Sequence, residues 1–141
     1  MAVYPLWKAV HSLREAEALA GLGNVAGPLD GPPEKPEDED SWARDWLARA
    51  RAAFNRASEM HEEAKRKGIE VLQQRARLIV ERLRDGAAAV RAGAKNIVQT
   101  TREELGKFHE TVQSAAVGWA TMNVLFLVAG LIAAAWYFTR K

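Results

Sequence analysis

Hydrophobic positions along the chain fall into four regimes, and each predicts a different element. Within residues 1–26, Leu6, Trp7, Val10, Leu13 and Leu19 gather on one broad side of a helical wheel, with Pro5 placed for a first turn. That pattern predicts a short N-terminal helix over 5–20. Residues 27–40, reading GPLDGPPEKPEDED, lose the apolar signal and predict an extended acidic linker. Residues 41–114 contain no proline and are rich in Ala, Arg, Glu, Leu and Gln, which predicts a helical region, with Asp40 or Ser41 as its N-cap. Residues 115–138 carry no ionisable side chain at all.

Periodicity refines the third regime. Ile69, Leu72, Ala76, Ile79, Leu83, Ala87, Val90, Ala94, Ile97, Thr101, Leu105, Phe108 and Val112 form one stripe, twelve steps across forty-three residues, a mean of 3.58. A sustained coiled-coil seam would give 3.5, so the stripe predicts a straight amphipathic helix lying along a surface. Upstream, Ala43, Ala50, Ala57 and Ala64 recur every seven residues, with Leu47, Phe54, His61 and Gly68 each four residues further on. Such small residues suit close approach to another helix. The expected fold is therefore all-α: one long amphipathic helix over 41–114, breakable near Gly86 or Gly93, leading into a terminal transmembrane helix. The surface for the stripe is expected to come from partners. Trp42, Trp46, Leu47, Phe54, Leu72, Ile79, Leu83, Val90, Ile97 and Phe108 are the interface candidates.

As a helix, the 24 residues of 115–138 would measure about 36 Å against a hydrocarbon core of about 30 Å, enough to span with modest tilt. Trp119 near one end and Trp136 and Tyr137 near the other suit the two headgroup regions, and Arg140 and Lys141 place positive charge in the tail of 139–141. Gly118, Asn123 and Gly130 interrupt the larger residues, and small or amide side chains permit helix–helix packing in lipid.

Charge sharpens this division. The total of +2 hides an acidic linker with six acids against one lysine and a basic block over 41–84 with eleven Lys/Arg against six acids. The basic block is interleaved with Glu, which argues for a solvated face, with an acidic partner or anionic lipid as the sharper alternative, and against nucleic acid. Cysteine is absent, and the three histidines stand far apart at 11, 61 and 109. HEEAK at 61–65 lacks the second histidine of a zinc-protease helix, and GLGN at 21–24 lacks the third glycine of a phosphate loop. No catalytic residue, metal ligand, cofactor or small-molecule substrate is expected.

In layout the chain resembles the supernumerary single-span subunits of mitochondrial respiratory-chain and ATP synthase complexes. The resemblance is architectural and carries no specific motif. It implies a non-catalytic accessory subunit in the mitochondrial inner membrane, with other subunits and the lipid bilayer as partners. The outer mitochondrial membrane or another membrane that accepts tail anchors is the alternative location. A tail-anchored, SNARE-like tether and an apolipoprotein-like membrane-surface helix are the alternative functions.

Overall fold

The computed structural model describes residues 3–22 and 31–139, and the side chains of these except 3, 4, 120–131, 133 and 134. Four helices account for most of it: α1 (Val3–Leu19), α2 (Glu39–Lys67), α3 (Glu70–Gly93) and α4 (Gln99–Thr139). No strand occurs among the described residues, so the fold is all-α as expected. A 3-10 turn over Pro36–Asp38 leads into α2.

α3 is the hub, packing against α1, α2 and α4. The contacts fix the directions. Gly93 faces Leu6 and Gly86 faces Ser12, while Arg82 pairs with Glu15 at 2.7 Å, so α1 and α3 run antiparallel. Trp46 and Phe54 meet Phe108, and Phe54 and His61 meet Trp119, so α2 and α4 run parallel. The order of the four helices is up, up, down, up.

The core is built from Val10 and Leu13 of α1, Trp46 and Leu47 of α2, Ile79, Val80, Leu83 and Val90 of α3, and Leu105 and Val112 of α4, all buried. Small residues bring the backbones close enough to bury these. The heptad alanines Ala43, Ala50, Ala57 and Ala64 are all buried, joined by Ala9, Ala16, Ala76 and Ala87. Buried carboxylates are hydrogen-bonded: Glu17 accepts from the Arg49 guanidinium (Nε to Oε2, 2.9 Å), and Glu39 accepts from the backbone N–H of Asn96 at 3.1 Å and from its side-chain amide.

Two expectations need correction. The region 41–114 is three helices. It reverses first at Gly68, whose φ of +68° closes α2 in the left-handed region while the Ile69 N–H reaches back to the Ala64 carbonyl. It reverses again over 94–98, where Ala94 is extended. Gly86, taken as a soft point, lies inside α3. The second correction concerns capping. Asp40 does not cap α2; its carboxylate accepts the Val98 N–H at 2.9 Å and so serves the start of α4, and Ser41 donates its hydroxyl to the Asp38 carbonyl.

Among the described residues no helix is long and apolar enough to cross a membrane. The span expected over 115–138 therefore rests on the sequence alone. Arg140 and Lys141 lie outside the described residues, and Asn123 and Gly130 lie where α4 is described without its side chains.

Candidate functional site

The ten interface candidates are the first test of the sequence-based site. Trp42, Trp46, Leu47, Ile79, Leu83, Val90, Ile97 and Phe108 are buried, and Phe54 and Leu72 are half-buried against the same core. They pack on one another, so the surface that the stripe was expected to borrow from partners is supplied by the chain itself. Eleven of the thirteen stripe positions are buried, Leu72 is half-buried and Ile69 is exposed.

The tryptophans of α2 face inward for the same reason. Trp46 is fully buried and donates its indole N–H to the Ala9 carbonyl at 2.9 Å. Trp42 donates to the Gly31 carbonyl at 3.0 Å and so ties the linker's end to α2. Both indoles thereby place their large apolar area in the core without orphaning the N–H.

What remains as a candidate site is the aromatic seam along α2 and α4. Trp46 meets Phe108 edge-on at 6.3 Å, and Phe108 meets Phe54 edge-on at 6.2 Å. Phe54 then lies parallel to Trp119 at 6.4 Å, and Trp119 stacks on His61 at 4.3 Å with an 8° interplanar angle. The ladder climbs from the α1 contact to the point where α4 enters its uncharged half. Beyond Trp119 the described side chains of α4, among them Ile132, Trp136, Tyr137 and Phe138, are exposed. Ala116 and Trp119 thus belong to the head of the molecule, and Trp119 clamps α4 to it. Gly118 faces open space.

His61 is the one titratable group of the seam. Only 3% of it is exposed, and its Nε2 has no hydrogen-bond partner. Burial lowers its pKa first, and the Lys65 charge lowers it further; Glu62 opposes both. A neutral imidazole stacked on an indole is the expected state at neutral pH. The seam binds one helix to another and carries no arrangement of nucleophile, base and oxyanion donors. Among the described residues no group of three His, Asp or Glu side chains could hold a metal ion.

Sequence reasoning missed the Phe54–Trp119–His61 clamp, although each residue stood in a pattern already noted. The Lys-Arg-Lys-Gly run ending α2, a basic last turn followed by glycine, marks a helix terminus and hence the first reversal, but the second, over 94–98, carries no such signal. No protein-family model, no curated protein and no solved structure matches the chain.

Proposed function

We propose that the chain is a non-catalytic membrane-anchored module. A self-packed helical head is carried on the second half of α4, which joins partner spans within the bilayer as an accessory subunit of a larger complex. The observation that carries this is the continuity of α4. One helix starts in the core at Leu105, leaves it at Trp119, and continues to Thr139 with Ile132, Trp136, Tyr137 and Phe138 uncovered. Large apolar side chains on an outlying helix call for lipid or for a protein partner.

The head claims the first turn of the uncharged segment, which shortens the span. Residues 120–138 remain, and 19 residues of helix reach about 29 Å, close to the hydrocarbon thickness of about 30 Å. Asn123 and Gly130 fall within this stretch and are the residues suited to contact a neighbouring span. The stripe no longer favours a membrane-surface helix, because its apolar side chains are buried in the head. A respiratory-chain or ATP synthase assembly of the mitochondrial inner membrane, the host suggested by the layout, is the first complex to examine.

The test is mild-detergent extraction of the native membrane followed by native-gel sizing. Migration in one large discrete assembly supports the subunit reading. Migration as a free 15.6 kDa chain overturns it. Asn123→Leu is expected to weaken that assembly by about 1 kcal/mol while leaving the head folded. Release of the wild-type chain by alkaline carbonate would overturn the anchor itself.

A further inference from the structure

Many cationic side chains of the head are answered by a nearby carboxylate. Arg44 meets Asp40, Arg49 meets Glu17, Arg82 meets Glu15, and Arg56, Lys65 and Lys67 meet glutamates of their own helix. The groove between α3 and α4 departs from this. It is a half-open groove of about 440 Å³, lined by Ala88, Arg91, Ala92, Ile97, Arg102 and His109. Neither Arg91 nor Arg102 has an ion-pair partner among the described residues. A second groove, beside Trp7 and His11, differs in that its Glu15 and Arg82 neutralise each other.

The polar wall of the α3–α4 groove has a defined hydrogen-bond polarity. Arg91 Nη1 lies 3.4 Å from His109 Nδ1. A guanidinium can only donate, so Nδ1 is the acceptor and the imidazole proton resides on Nε2. Two guanidinium forks and an N–H then offer donors with no carboxylate among the lining side chains, a set that matches the oxygens of a phosphoryl group. Ala88, Ala92 and Ile97 supply an apolar wall for the body attached to it.

We propose that this groove is a binding site for a small soluble phosphomonoester, with Arg91 and Arg102 gripping the phosphoryl oxygens and His109 donating from Nε2. A phospholipid headgroup of the bilayer that anchors the chain is a poor source. Arg102 precedes Trp119 by seventeen residues, about 25 Å along α4, at the opposite end of the head from its exit. The groups facing His109 are Arg91 and Arg84 from α3 and Glu110 from its own helix. Burial first, and then the two arginines, lower its pKa, with Glu110 opposing. A bound dianion would reverse the balance of charge and pull that pKa upward.

The test is a titration of the full chain in detergent micelles, followed by NMR of the histidine and arginine side chains. Glycerol 3-phosphate and inorganic phosphate are the probes, and chloride at matched ionic strength is the control. Saturable shifts at His109 and Arg91 with a phosphate probe but not with chloride are expected. Arg91→Gln and Arg102→Gln should each weaken binding about tenfold or more, while Arg75→Gln, an exposed arginine elsewhere on α3, should not. Tighter binding of the ester than of inorganic phosphate supports use of the apolar wall. The proposal is overturned by absence of saturation up to about 20 mM probe, by an equal response to chloride, or by unchanged affinity in both groove variants with their helix content intact.

Discussion

Gly86 sits where Trp46 needs space. A β-carbon built there would meet Trp46 Cζ2 at 2.6 Å and Ser12 Cβ at 3.3 Å, so the glycine admits the buried indole between α1 and α3. Gly86→Ala should therefore lower stability by about 1–3 kcal/mol through overpacking, despite alanine's better helix propensity. Gly106, in the same kind of helical backbone, faces open space. Gly106→Ala should instead raise stability by up to about 1 kcal/mol. Denaturant unfolding of both variants measures the contrast, and equal effects would remove the packing argument. His61 supplies a second residue-scale expectation, because its pKa lies below the ordinary value of about 6.5. As pH falls through that value, the unfolded chain takes up a proton that the buried imidazole refuses. Stability is then complete above the unfolded pKa and declines toward the lower folded one. His61→Phe should keep the stack on Trp119 and flatten the decline between pH 7 and 5, leaving the share due to His109. Thermal melting by near-ultraviolet circular dichroism across that range reads it. Stability that rises on acidification would mean that the Trp119 face holds an imidazolium as a cation–π partner.

At the scale of elements, the turn between α3 and α4 is held from a distance. Glu39 and Asp40 open α2, yet they bind the Asn96 and Val98 N–H groups, fifty-seven and fifty-eight residues downstream. The Val98 N–H, with the Thr101 hydroxyl second, holds the Asp40 carboxyl below its ordinary pKa. Asp40→Ala should cost about 0.5–2 kcal/mol, as loss of a helix cap does. Hydrogen exchange should quicken first in the opening turn of α4, and uniform acceleration across all four helices would argue against a local cap. This turn shows what the sequence could and could not reveal. The stripe from Ile69 to Val112 marks the buried face almost residue for residue, and the alanine heptad marks a close-packed one. A stripe of constant phase is blind to reversal, because two halves folded face to face bury the same positions as one straight rod against a partner. The break at 94–98 has neither glycine nor proline within it, and the groups that hold it lie on another helix. The break at Gly68 was legible in its basic last turn and glycine. The aromatic seam was not, since Phe54, His61 and Trp119 come together only once both reversals are known.

At the scale of the whole molecule, the seam would set the depth at which the head meets a membrane if α4 is the anchor proposed above. His61 stacks on Trp119, and α2 runs six residues further in the direction of α4, about 9 Å, before turning at Gly68. With residues 120–138 embedded as proposed, that turn would lie level with about residue 125, just inside the bilayer surface and within side-chain reach of the lipid headgroups. Its composition suits such a place. Ile69 and Val71 are 42% and 70% exposed, and Lys65, Arg66 and Lys67 fill the last turn of α2. Apolar side chains flanked by cations favour an interface with anionic lipid. The native chain contains no cysteine, so Val71→Cys introduces a single reporter, and Ala88→Cys, exposed near the opposite end of α3, is its control. In vesicles containing phosphatidylserine, a water-soluble maleimide should label position 71 several-fold more slowly than position 88. Replacing Lys65, Arg66 and Lys67 with Gln should restore most of the difference. Equal labelling in a chain that resists carbonate extraction would mean that α4 is embedded but tilts the head away from the bilayer. Equal labelling in a chain that carbonate releases would remove the anchor as well, and the uncovered residues at the end of α4 would then call for a protein partner instead of lipid.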